Sequence, residues 1–208
     1  MRKLILSMHT SLDGFVTGPN NDMSWMQPDD DEQWADLFDM LSNVDLFLLG
    51  SGMWEEYRNY WKKALRDDGF SPNEVKYAKF AEKTPHIVFS STLKNPGWQN
   101  TSIKSESIYR AVSQIKAETG KDIQIVGGAK FAESMIDSGL VDEYRIMVNP
   151  VIVGKGKTFF RNLKCRHNLK RGGVKVLQNG VVIITYIQLD TTEAEDVDPK
   201  KRRKQNNK

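Results

Sequence analysis

The sequence predicts an α/β domain built in three layers, with a mainly parallel central sheet covered by helices on both faces and an antiparallel hairpin at its C-terminal edge. Three observations lead there. Short apolar runs alternate with stretches of helical periodicity, several of those runs end in glycine turns from which a helix starts, and Asn179-Gly180 joins two β-rich runs near the C-terminus.

In chain order, residues 3–9 (KLILSMH) read as a buried strand, and Ser11-Leu12-Asp13-Gly14 followed by Gly18-Pro19-Asn20-Asn21 opens a long loop. Pro28 and three aspartates suit a helix N-terminus, and Trp34, Leu37, Phe38 and Leu41 recur at helical spacing, so a helix spans about 30–42. Residues 45–49 (DLFLL) are too short for a helix; closed by Gly50-Ser51-Gly52, they form a central strand ending in a tight turn before another helix. Ser71-Pro72-Asn73-Glu74 combines an N-cap serine, a first-turn proline and a capping-box glutamate, which starts a helix at about 72 that ends before Pro85.

Residues 86–90 (HIVFS) are the third core strand, and a short strand at 101–104 leads to a helix whose Ile108, Val112 and Ile115 face inward. Ile123, Ile125 and Val126 then run into Gly127-Gly128, after which Phe131, Met135 and Ile136 form the inner stripe of a helix ended by Gly139. A strand at 144–149 stops at Pro150, and 174–177 with 181–189 make the hairpin around Asn179-Gly180.

Hydrophobic residues make up 39% of the 208 and charged residues 27%, a globular balance that gives residues 1–190 enough apolar surface for one domain. Residues 191–208 read as a disordered charged tail, because they set Lys200, Lys201, Arg202, Arg203, Lys204 and Lys208 against four acidic residues with almost nothing apolar to bury. The body is left near neutral, which argues against a nucleic-acid partner. No apolar run approaches the roughly 18 residues of a membrane span, and no membrane partner is expected. Cys165 is the only cysteine, so neither an intramolecular disulfide nor a cysteine-cluster zinc site is available, and a cytoplasmic setting is expected. His9, His86 and His167 are scattered and show no metal-ligand spacing, so no metal is expected.

Ligands of open α/β sheets sit at the carboxyl ends of strands, where helix N-termini offer free N–H groups to phosphates. Three strand ends qualify: Gly50-Ser51-Gly52, Ser90-Ser91-Thr92 and Gly127-Gly128-Ala129. Each supplies backbone without a side chain in the way or uncharged hydroxyl donors. Asp13 faces the same mouth, either as a functional carboxylate or as an Asx-type turn residue ahead of Gly14. Trp25, Trp54 and Tyr57 are available to stack on a planar substrate or to pack in the core.

The order of Ser11-Leu12-Asp13-Gly14-Phe15, Leu48-Leu49-Gly50 with Trp54-Glu55, Val88-Phe89-Ser90-Ser91-Thr92-Leu93, Ile125-Val126-Gly127-Gly128-Ala129, Leu140-Val141-Asp142-Glu143, and Pro150 through Gly154-Lys155-Gly156 resembles the dihydrofolate reductase-like superfamily. Within it the chain is most similar to the reductase domain of bacterial riboflavin biosynthesis and its stand-alone relatives, over about residues 2–190. The resemblance implies NADPH as cofactor, its pyrophosphate lined by Gly127, Gly128, Ala129 and Lys130. It also implies contacts from Gly50, Ser51, Gly52 and Met53, although the family's basic residue and threonine in that loop are Ser51 and Met53 here. The 2′-phosphate is expected at Ser90, Ser91 and Thr92, with Lys94 as the nearest cation.

Folate-reducing members carry a carboxylate sixteen residues before the glycine of the second strand's end, and this chain has Trp34 there. Asp30, Asp31, Glu32 and Asp36 are read as helix N-terminal and solvent-face charges, which disfavours folate reduction. The expected activity is hydride transfer to a small heterocycle such as 5-amino-6-(5-phosphoribosylamino)uracil, by a homodimer with Asp13 as the candidate catalytic carboxylate. A non-catalytic nucleotide or small-molecule binding protein of the same fold is the alternative.

Overall fold

A computed structural model of the chain describes residues 1–26, 30–158 and 160–189. Pro28 and Asp29 of the aspartate-rich helix start, and the charged tail at 191–208, lie outside the described residues.

The elements run β1 (Leu4–Ser11), α1 (Asp31–Leu41), β2 (Val44–Gly50), α2 (Ser51–Ala64), α3 (Pro72–Lys83), β3 (His86–Phe89), β4 (Thr101–Lys104), α4 (Ile108–Ala117), β5 (Asp122–Gly127), α5 (Ala129–Asp137), β6 (Glu143–Asn149), β7 (Leu169–Val176) and β8 (Val182–Gln188). The strands form one sheet in the order β4-β3-β2-β5-β1-β6-β8-β7. Every pairing from β4 to β6 is parallel, while β8 runs antiparallel to both β6 and β7. The expected mainly parallel sheet with an antiparallel C-terminal hairpin is therefore the observed fold.

Alternation along the strands sends side chains to two cores. Leu4, Leu6, Leu46, Leu48, Ile123 and Ile125 point to one face, where Val112 and Ile115 of α4 and Met135 and Ile136 of α5 cover them. Phe47, Leu49 and Val88 point to the other, beneath Leu41 of α1, Trp54 and Tyr57 of α2, and Tyr77 and Ala81 of α3. Truncating a fully buried side chain of either layer, such as Leu48, to alanine costs about 2–5 kcal/mol.

The helix starts obey local chemistry. The Gln33 N–H donates to the Asp30 carboxylate at 2.9 Å, and the α3 capping box closes with Glu74 N–H to Ser71 Oγ at 3.2 Å and Ser71 N–H to the Glu74 carboxylate at 2.9 Å. Two strands are longer than their sequence suggests. β1 continues through Thr10 and Ser11, because β6 lies alongside it as far as the Ser11–Asn149 pair. β7 begins at Leu169, with a register shift between Arg171 and Gly173 where Gly172-Gly173 breaks the alternation. Among the described residues no helix is long and apolar enough to cross a membrane.

Candidate active site

Adjacent strands β2 and β5 end side by side, with Leu49 paired to Gly127 across a register shift that leaves Val126 unmatched. From these two ends start α2 and α5, capped by Gly50 and Gly128, neither of which has a side chain to offer the helix. Their first N–H groups therefore keep their donor capacity, and each terminus carries roughly half a positive charge. Two reciprocal contacts lock them together. A Cβ built on Gly50 would meet Phe131 Cβ of α5 at 2.7 Å, and one on Gly127 would meet Met53 Sδ and Cε of α2 at 2.8 Å. Each helix thus seats a side chain on the glycine of the other's turn.

The residues present fit a dinucleotide pyrophosphate. Ser51, Gly52 and Lys130 are exposed and Met53, Gly128 and Ala129 partly so. Gly128 holds φ +95°, which L side chains rarely adopt, with only Phe131 Cβ at 3.6 Å and Met53 Cβ at 3.8 Å near its missing side chain. Gly127 and Gly50 are, in contrast, already occupied by Met53 and Phe131.

The third strand end lies one strand outward. The Ser90 hydroxyl accepts the Thr92 and Leu93 N–H groups at 3.2 and 2.9 Å, shaping the turn, while Ser91 and Thr92 are exposed. The Ser90 N–H donates to the Lys104 carbonyl at 3.0 Å, so the end of β4 adjoins this turn. Lys104 is a cation the sequence reading missed, and Glu106 accepts from its ammonium at 2.9 Å. Lys94 is exposed.

Asp13 is a clasp. Its carboxylate accepts from the Ser11 hydroxyl at 2.7 Å and from the N–H groups of Val153 and Gly154 at 3.1 and 2.8 Å. The Ser11 hydroxyl first, then those two N–H groups, hold its pKa down to about 2. A carboxylate so engaged is ionised throughout the working range; it joins the two loops, as the turn-residue reading of Asp13 has it, and does not suit a proton donor. The loop after β1 is further zipped to the loop after β6 by Val16 N–H to Lys157 O at 2.7 Å and Lys157 N–H to Thr17 O at 3.0 Å.

On the α1 side, β1 presents His9 and β6 presents Arg145 and Met147, with His9 directly opposite Met147. Burial pushes the His9 pKa down to about 4, opposed by a side-chain hydrogen bond with Asn149 that raises it. The fully buried Asn149 Nδ2 donates to the carbonyls of Thr10 and Met147, both at 3.1 Å, and approaches His9 Nδ1 at 3.3 Å.

Three expectations are corrected here. Trp54 and Tyr57 do not reach a ligand: they are 1% and 6% exposed, and they stack on each other and on Trp98 and His86 within the core. Their polar tips are used up inside, the Trp54 indole N–H donating to Pro96 O at 2.8 Å and the Tyr57 hydroxyl lying 3.3 Å from Tyr77 Oη and His86 Nε2. Asp36 is not a solvent-face charge. It pairs with Arg145 of β6 at 2.5 Å and Lys175 of β7 at 3.6 Å, because α1 lies against the C-terminal hairpin, where Glu32, one turn earlier, accepts the Gln178 N–H. Trp34 stacks on Phe38, and Trp25 lies partly exposed in the mouth loop, its indole N–H on Asp22 O at 3.1 Å.

The residues missed by the sequence reading, His9, Lys104, Arg145 and Asn149, share one trait. Each is a polar residue of a strand, and only the lateral order of the strands says what it meets.

A family model of the RibD C-terminal domain matches residues 2–183. The chain belongs to the RibD C-terminal domain family. Bacillus subtilis (strain 168) protein YyaP is 33% identical over 185 residues, covering 89% of this chain and 94% of the relative. Among solved structures, a deaminase/5-amino-6-(5-phosphoribosylamino)uracil reductase of Thermotoga maritima superposes with TM-score 0.64 at 16% identity, over 90% of this chain and 57% of that one. Dihydrofolate reductase of Enterococcus faecalis, complexed with NADP(H), gives TM-score 0.59 at 14% identity, over 90% and 97%. These superpositions establish that this RibD C-terminal domain shares their fold.

Proposed function

We propose that this chain is an NADPH-dependent reductase that transfers hydride to a small heterocyclic substrate of the ribosylamino-uracil type, the compound named for the Thermotoga maritima protein. Family membership supports the reductase reading, and the interlocked, uncapped N-termini of α2 and α5 carry it. They aim backbone donors and two positive dipole ends at one place, which is what a dinucleotide pyrophosphate needs. Bound there, NADPH supplies the hydride from its nicotinamide.

The chain's own residues then bind and orient. N–H groups at the starts of α2 and α5 hold the pyrophosphate, while Ser91, Thr92 and Lys104 take the 2′-phosphate that separates NADPH from NADH. His9, neutral at working pH, offers a ring nitrogen to hydrogen-bond the heterocycle. Along the α1 side Arg145 and Lys175, both paired with Asp36, are the cations that would attract a substrate phosphate.

NADPH absorbance, followed with the phosphoribosylamino-uracil as acceptor, tests this reading. Turnover that is lost in Gly128→Val supports it, and NADPH binding without turnover on any pyrimidine acceptor contradicts it. That second outcome is what a nucleotide-binding protein without catalysis would give.

A further inference from the structure

We propose that Asp137, Cys165 and His167 form a binding site for one divalent transition-metal ion, zinc by the chemistry of its ligands. The site lies at the C-terminal end of α5. A nine-residue helix is about 13 Å long, so the site is remote from the glycine turn where α5 begins.

The geometry comes first. One donor atom each from the Asp137 carboxylate, the Cys165 thiol and the His167 ring lies within 4.8 Å of the other two. Cys165 Sγ and His167 Nε2 are 3.4 Å apart. Two ligands at about 2.3 and 2.0 Å from a tetrahedral zinc stand about 3.5 Å apart, so this pair already holds the separation a shared ion requires. Only the carboxylate has to close in.

The frame is set without the ion. Glu133 and Asp137, one turn apart on α5, accept the N–H groups of Asn162 and Lys164 at 2.7 and 2.9 Å, which pins the loop leading to Cys165 onto the helix. A carboxylate has about four acceptor directions, so the Lys164 contact leaves Asp137 able to bind metal. Thiolate, imidazole and carboxylate together suit zinc and cobalt rather than magnesium or calcium. Cys165 is exposed and His167 and Asp137 partly so, which gives an ion access and leaves a fourth position to water. The sequence shows only Cys-x-His, and the third ligand comes from another element 28 residues earlier.

The full chain, stripped with a chelator and titrated with Co²⁺, decides the matter. One equivalent should bind with a thiolate-to-cobalt charge-transfer absorption and visible bands of tetrahedral intensity, and Zn²⁺ should displace it. Cys165→Ser should abolish the charge-transfer band, and His167→Gln and Asp137→Asn should each weaken Co²⁺ binding at least tenfold, with circular dichroism showing all three folded. NADPH affinity should not change, since no ligand touches the cofactor site. Absence of charge-transfer absorption at saturating Co²⁺, or wild-type Co²⁺ affinity in His167→Gln and Asp137→Asn, would overturn the site.

Discussion

The thioether of Met53 occupies the space that a side chain on residue 127 would need: a Cβ on Gly127 falls 2.8 Å from both Sδ and Cε. This contact makes one residue answerable both for the fold of the glycine turn and for the room left to a cofactor. Gly127→Ala alone should destabilise the protein by about 1–3 kcal/mol, the usual cost of overpacking. Combined with Met53→Ala it should recover part of that loss, a coupling that denaturant unfolding of the double-mutant cycle would read. Met53→Thr should also tighten NADPH by up to about tenfold, because it adds a hydroxyl worth about 1 kcal/mol and clears the glycine. Weaker NADPH binding in Met53→Thr would mean that Met53 supports the cofactor instead of crowding it.

Asp13 tests the difference between a clasp and a proton donor. Its pKa near 2 means that the clasp is intact above that value and is lost only as pH falls through it. Asp13→Asn keeps one acceptor oxygen and sets its NH2 against one of the Val153 and Gly154 N–H groups, which bond to different oxygens of the carboxylate, so it should raise KM through a looser mouth while leaving the shape of the kcat–pH profile between pH 5 and 9 unchanged. Loss of a titrating limb from the profile would restore a catalytic role.

His86 predicts an acid-side loss of stability. It is 1% exposed among aromatic rings, and burial lowers its pKa from 6.5 to about 4. The unfolded chain therefore takes up a proton at His86 before the folded one does, and stability present above pH 6.5 declines until about pH 4 and then levels off. The drop from this residue is up to about 3 kcal/mol. Urea midpoints measured from pH 7 to 4 should fall more steeply in wild type than in His86→Leu. His9, with its pKa also near 4, adds to the decline in both proteins.

Dihydrofolate should not be reduced at a rate approaching 1 per second, within the ordinary enzyme range. The indole of Trp34 cannot relay a proton, and the neighbouring Asp36 is tied to Arg145 and Lys175. An assay of NADPH absorbance with dihydrofolate checks this, and turnover in that range would show that another group protonates the pterin.

The layers of this domain were legible because their signals are local. Apolar runs, the Ser71–Glu74 capping box, Asn179-Gly180 and the Gly127-Gly128 turn each declare themselves within a few residues. Helix α1 shows where that stops. Its buried stripe of Trp34, Leu37, Phe38 and Leu41 was readable from spacing, but Asp36 looked like a solvent charge because nothing in the helix reveals that the β7–β8 hairpin lies against it. Trp54 and Tyr57 illustrate the opposite error. Their aromatic rings suited either stacking on a planar substrate or packing in the core, and the helix turns them toward His86 and Trp98. Edge strand β7 escaped in its first half because Leu169-Lys170-Arg171-Gly172-Gly173 has neither alternation nor buried residues to mark it.

The most direct test of the cofactor site is a fluorescence titration with NADPH and, in parallel, NADH, using the protein's five tryptophans. NADPH should quench saturably, with weaker binding of NADH. Lys104→Ala should narrow the difference between the two, and Gly128→Val should abolish both signals while circular dichroism remains that of the folded protein. Equal affinity for both cofactors would contradict the 2′-phosphate assignment, and a folded Gly128→Val variant that binds NADPH as wild type does would contradict the placement of the cofactor on the interlocked helix N-termini.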